Sequence, residues 1–171
     1  MDLRLKLYGD PVLRKKTEPV TEFGESLDGI IESMHRIMIE NNGVGLAGPQ
    51  AGLLKQIFLI DESGGEEEPQ VFVNPEIFWV AEEYVVEEEG CLSFPGIYID
   101  VKRPSKVSLR AQDRRGEGFE VRDAQGLVAR AFQHETDHLN GKLFIDRISP
   151  VKKALISKKL KGISKNSTKR Y

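Results

Sequence analysis

His134 and His138 are two of only three histidines in the chain, and they stand four residues apart in the stretch "QHETDHLNG", Gln133 to Gly141. On a helix, residues at that spacing share one face with Cβ atoms about 6 Å apart, within reach of a single metal ion. Glu135 follows the first histidine directly and completes the pattern H-E-x-x-H. In that pattern the histidines bind metal and the glutamate is the general base on its water. The competing reading is a polar patch on a helix surface. Leu127, Val128, Ala131, Phe132 and Leu139 form the apolar stripe of a helix expected to be capped by Asp123 and to run to about Asn140, with Gly141 past its end. His134, Glu135 and His138 fall on that stripe, whereas Arg130, Gln133 and Asp137 are expected to point away. Three ionisable groups facing a core are costly unless something pairs with them. The placement favours a metal.

Two histidines do not complete a catalytic site, which usually has three protein ligands and one open position. A third histidine ten residues after the first is absent, because position 144 is Phe, and no Glu follows Glu135. Asp146 lies beyond the helix with no obvious way back, and His35 reads as a core-edge histidine of an earlier helix. Cys91, the single cysteine, remains, in "EGCLSFPG". A free cysteine is by default a small buried hydrophobe. Here it follows Gly90 at the end of a strand, where backbones can approach closely, and a Cys/His/His set is a recognised catalytic metal environment. Its soft sulfur admits Zn(II) or Fe(II).

A third stretch, "GVGLAGPQ" from Gly43 to Gln50, formally contains G-x-G-x-x-G. A dinucleotide site needs a strand before that motif and a helix after it. Here a helix precedes it, and Pro49 and Gly52 block one from following. It reads instead as a loop of exposed backbone ending in Gln50, whose amide can donate to an oxyanion.

The elements that must position these groups follow from pattern. Leu27, Ile30, Ile31, Met34, Ile37 and Met38 recur at helical spacing between Ser26 and Asn42, with Gly43 as a stop. The middle of the chain reads as strands: "QIFLI", "VFV", "IFWVAEEYVV", "IYIDV", "KVSLRA" and "FEV", with "DESGGEEEP" an exposed loop. Ser149 and Pro150 look like the cap and first residue of a further, basic helix. A helix, strands, then helices indicate an α+β fold.

With 171 residues the chain suits one catalytic domain, 1–171, with 151–171 a basic C-terminal helix or tail. No apolar run approaches the roughly 18 residues that would span a bilayer, and no secretory signal or transit peptide is evident. One cysteine fits a reducing compartment. From Val151 to Tyr171 there are eight Lys or Arg and no acid, so a net charge of −2 divides into +8 there and −10 elsewhere. Such a tail suits an anionic partner, or is simply solvated.

The three motifs, in this order, resemble the signature motifs of the peptide deformylases, and "GDPVLR" near the start is also similar to that family. The likeness spans about Leu5 to Ser149, with one visible departure: Gly48 stands where the family more usually has alanine. The resemblance implies an α+β domain with antiparallel or mixed sheets around a central metal-binding helix and an additional C-terminal helix. It implies removal of the formyl group from the N-terminal methionine of new polypeptides in the cytoplasm. It makes Cys91, His134 and His138 the ligands of one metal ion, Glu135 the acid–base residue, and Gln50 with the backbone N–H of Leu92 the oxyanion donors. The metal implied is Fe(II), with Zn(II), Ni(II) or Co(II) also found.

On that footing, Gly43, Val44, Gly45 and Gly90 let a substrate backbone lie alongside as an added strand, and Leu127, Ala131 and Tyr98 line a methionine pocket. The partners implied are formylmethionyl nascent peptides and, through the basic helix, the ribosome, with neither DNA nor membrane. A zinc metallopeptidase and a non-catalytic, metal-stabilised binding protein are the alternative classes. The first lacks its downstream ligand, and the second needs neither Glu135 nor Gln50.

Overall fold

The run "QIFLI" is apolar throughout because the strand it forms is covered on both faces. Ile57 and Leu59 join a core cluster with Leu27, Ile31 and Met34, while Phe58 and Ile60 join another with Ala129 and Phe132. The computed structural model describes residues 2–168. Its elements run α1 (Glu25–Glu40), β1 (Gly45–Ala47), β2 (Ile57–Ile60), β3 (Gln70–Val80), β4 (Tyr84–Gly90), β5 (Tyr98–Pro104), β6 (Lys106–Gln112), β7 (Gly118–Gln125), α2 (Gly126–Leu139), α3 (Pro150–Leu155) and α4 (Ser157–Thr168). Tight helical turns occupy Pro11–Arg14, Gly48–Ala51 and Phe144–Arg147. The fold is α+β. Five antiparallel strands in the order β1-β2-β3-β6-β7 form one sheet, and β4 and β5 pair separately.

Helix α1 packs its Leu27, Ile31, Met34 and Met38 stripe on one face of the large sheet. Glu25 and Asp28 favour its N-terminus, and it ends before Asn42, which takes a left-handed φ of 55°. Helix α2 covers the opposite face. Phe72 stacks on Phe58 with ring centres 4.8 Å apart and meets the edge of Phe132 at 5.0 Å. A third cluster lies under the β5 strand and gathers Leu7, Leu13, Phe94, Val101, Phe144, Leu160 and Ile163, with Cys91 packed against it.

Four expectations are corrected. Asp123 does not cap α2: it is a strand residue at φ 53°, its N–H donating to Ser108 Oγ. The β6–β7 ladder shifts register there, the pairs Val107–Ala124 and Leu109–Val121 leaving an extra residue in β7, so pairing continues to Gln125. "IFWVAEEYVV" is not one strand, because β3 stops at Val80 and β4 starts at Tyr84. "GVGLAGPQ" is not wholly loop: Gly45–Ala47 pairs with β2, and Gly48–Ala51 is a helical turn. The basic C-terminus forms two helices that break at Ile156, not one. Ser149 does cap the first, accepting from Lys152 N–H at 3.2 Å. Lys169 and Arg170, which complete the basic tail, lie outside the described residues. Among those described, no helix is long and apolar enough to cross a membrane.

Candidate metal centre

Three elements converge on one point. The strand β4 delivers Cys91, the turn after β1 delivers Gln50, and α2 delivers His134, Glu135 and His138. Cys91 Sγ lies 3.4 Å from His138 Nε2, which lies 3.3 Å from His134 Nε2, and all three ligand atoms fall within 4.8 Å of one another. A four-coordinate ion with bonds of about 2.3 Å to sulfur and about 2.0 Å to nitrogen spaces such atoms by about 3.3–3.6 Å. The donor set fits a borderline-soft divalent ion. Burial opposes charge on His134, yet the Cys91 sulfur and the Glu89 and Glu135 carboxylates outweigh it and hold its pKa well above the usual value. Burial, then the charge on His134, pushes His138 well below.

Gln50 is buried and fixed from both ends. Its Oε1 accepts from Ala47 N–H at 2.9 Å, and its Nε2 donates to Ser93 Oγ at 3.3 Å and to Cys91 Sγ at 3.4 Å. Glu135 is buried too, and its Oε2 has no hydrogen-bond partner among the described residues. Burial pushes this carboxyl up to about 7. A Cβ on Gly45 would lie 2.7 Å from Glu135 Oε1, so any larger residue there would displace the carboxylate from this position. Gly48 is equally confined: a Cβ there would meet the carbonyl oxygens of Leu53 and Lys55 at 2.7 Å. The loop is packed around that glycine, and an alanine there would need the backbone at Leu53 or Lys55 to shift.

Gly43, Val44, Gly45, Gly90, Leu92, Tyr98, Leu127 and Ala131 all line one cavity of about 670 Å³ with Gln50, Cys91, His134 and Glu135, a size suited to a small ligand. Leu127 and Tyr98 are exposed at 57% and 68%, so they stand at its mouth. His35 is elsewhere, paired with Asp61 at 2.8 Å, and Asp146 accepts from Arg14 and from Leu143 N–H.

The outward positions of α2 are the chief surprise. Arg130, Gln133 and Asp137 do not point to solvent but are buried, because the β4–β5 pair covers that side. Glu89 Oε1 accepts from His134 Nδ1 at 2.8 Å, which leaves Nε2 free for a metal. Burial opposes charge on Glu89, but hydrogen bonds from Arg103 and His134 hold it well below the usual carboxylate range. Arg103 and Arg130 both bind it. Glu89 was one more acid in the run "EEEG", and only its inward position on β4 distinguishes it from Glu87 and Glu88.

A Cys/His/His cluster beside a buried carboxyl, on an α+β frame, defines the class of metal-dependent hydrolases. The family model of polypeptide deformylase matches residues 3–154, and the chain belongs to that family. It is similar to a peptide deformylase of Thermotoga maritima, 47% identical over 162 residues that cover 95% of this chain and 96% of the relative. Among solved structures, a Legionella pneumophila peptide deformylase is 43% identical with a TM-score of 0.88, covering 97% and 98% of the two chains. One from Plasmodium falciparum is 38% identical with a TM-score of 0.92, covering 96% and 97%.

Proposed function

We propose that this cavity hydrolyses the formyl group from the N-terminal formylmethionine of new polypeptides, with Cys91, His134 and His138 holding one metal ion. The observation that carries the reading is the buried Glu135 Oε2, without a partner among the described residues, beside the three converging side chains. When bound, the ion supplies a Lewis acid that brings the pKa of a water from about 15.7 towards 7. Glu135, at about 7, takes the proton as water oxygen bonds to the formyl carbon. The Gln50 amide and the Leu92 N–H donate to the formyl oxygen as it gains charge. Glu135 then passes the proton to the amine nitrogen, the C–N bond breaks, and formate leaves. The Gly45–Ala47 strand is the outer strand of its sheet, which supports pairing of the substrate backbone along Gly43–Gly45 and beside Gly90. Leu127, Ala131 and Tyr98 suit an apolar methionine side chain.

Formyl-Met-Ala-Ser should yield formate, and a strong chelator should stop it. Glu135→Gln should retain metal and lose about 10²–10⁴ in turnover, while Cys91→Ala should lose the metal. Internal cleavage of an unformylated peptide without formate release would falsify the reading. The metal in the cell is inferred to be Fe(II), with Zn(II), Ni(II) and Co(II) as substitutes. Oxidised cysteine is a poor ligand, so iron protein should fade in air and nickel protein persist; equal air stability of the two refutes this.

A cytoplasmic enzyme acting on nascent chains has reason to stay near the ribosome. Lys152, Lys153, Lys158, Lys159 and Lys161 are exposed on α3 and α4, a charge density suited to RNA phosphates. Removal of the tail after Ser149 is a poor test, because Leu160 and Ile163 are buried in the third core cluster. Replacing those five lysines by glutamate should abolish co-sedimentation with ribosomes at low salt and spare formyl-Met-Ala-Ser turnover. Unaltered sedimentation rules the helices out as anchor.

A further inference from the structure

The ligands of the metal centre sit on two units that share no ladder of backbone hydrogen bonds. Cys91 follows β4, in the two-stranded sheet, whereas His134 and His138 lie on α2. Their relative placement therefore depends on side chains, and two guanidiniums span the gap. Arg130 reaches from α2 to Glu89 Oε2 at 2.6 Å and to the carbonyl of Val101 at 2.9 Å. Arg103 reaches from β5 in both directions. Its Nε and Nη2 grip the two oxygens of Glu89 at 2.5 and 2.9 Å, and its Nη1 donates to Asp137 Oδ2 at 2.9 Å.

Each partner of Arg103 adjoins a ligand. Glu89 precedes Cys91 by two residues and also accepts from His134 Nδ1, and Asp137 is the neighbour of His138 on α2. One rigid plane thus ties the approach to Cys91, the ring of His134 and the turn of His138. Arg103 is 1% exposed, is not itself a lining residue of the cavity, and reaches the ligands only through Glu89, which does line it, and Asp137. Buried ion pairs are often no more stabilising than apolar residues of the same volume. A lysine could carry the charge but not hold two carboxylates in one plane. Arg147 also binds Asp137, at 2.6 Å through two nitrogens, but it is 41% exposed and makes no bond to the β4–β5 pair.

We propose that Arg103 is a positioning residue for the metal: its fork sets the distance between Cys91 and the histidine pair, and with it the coordination geometry. The proposal rests on the Cys/His/His assignment above. The test uses full-length protein loaded with Co(II), whose visible bands report ligand geometry and whose thiolate band reports Cys91. Arg103→Lys should fold, by far-ultraviolet circular dichroism, yet show shifted visible bands and release cobalt to a chelator about 10–100-fold faster. Arg147→Lys, the control, should match wild type in both. A folded Arg103→Lys protein with wild-type bands and release rate overturns the proposal. If Arg103→Lys does not fold, Asp137→Asn, which removes one of the two carboxylates, decides by the same two readings. Wild-type protein without a thiolate band overturns the ligand assignment itself, and this proposal with it.

Discussion

Where α2 meets the five-stranded sheet, Ala129 and Phe132 pack on Phe58 and Phe72; where it meets the β4–β5 pair, Arg130 and Asp137 engage Glu89 and Arg103. Both interfaces are buried, and they do different work. Apolar contact is non-directional and tolerates small slips, so it stabilises without fixing a ring or a sulfur to tenths of an ångström. Hydrogen-bonded ions tolerate little, because a displaced carboxylate leaves buried charge unpaired. The histidines lie between the two interfaces and borrow stability from one and orientation from the other.

That contrast can be broken at matched cost. Glu89→Ala leaves two buried guanidiniums short of a partner and should cost about 3–5 kcal/mol. Phe72→Ala opens a cavity and should also cost about 3–5 kcal/mol. Denaturant titrations should show comparable losses, but metal content per folded molecule should fall only for Glu89→Ala. Equal metal retention would erase the distinction.

A smaller effect comes from a buried carboxylate held without arginine. Burial opposes the charge on Asp61, but hydrogen bonds from the Ser63 hydroxyl, His35 and the backbone N–H groups of Ser63 and Gly65 bring its pKa to about 2. Because the folded value lies below the usual 3.8, its contribution is full above that value and disappears as the pH falls through about 2. The contribution is at most about 2 kcal/mol. Asp61→Asn should therefore be less stable than wild type at pH 6, with the gap closing as pH falls from about 4 to about 2. Denaturant midpoints across that range would show it, and a gap constant with pH would refute it. The smallest effect is expected at the exposed Arg122–Glu120 pair. Arg122→Ala should change stability by under about 1 kcal/mol, and a larger shift in thermal midpoint would mean that surface ions matter here as buried ones do.

The sequence disclosed the apolar interface and the residues of the Cys/His/His cluster better than the ionic interface. Period and spacing placed α1, the "QIFLI" strand, the Ser149 cap and the histidine pair, because each depends on residues close in the chain. Arg130, Gln133 and Asp137 were misplaced for the opposite reason. A charged helix face looks solvated until a partner such as Arg103, far away in sequence, covers it. Asp123 misled similarly: an aspartate before an apolar run resembles a cap, but the β6–β7 ladder held it in strand.

Ser164 packs directly against Gly9, and Leu160 and Ile163 complete the cluster that contains Leu7 and Leu13 and on which Cys91 rests. These contacts join segments about 150 residues apart, so they close late, after a long loop has been gathered. During its own synthesis the protein has both histidines and the cysteine available well before the floor beneath the cysteine exists. Chains arrested short of Leu160 are expected to bind metal weakly, so that competence waits until the segment through Ile163 has emerged from the ribosome.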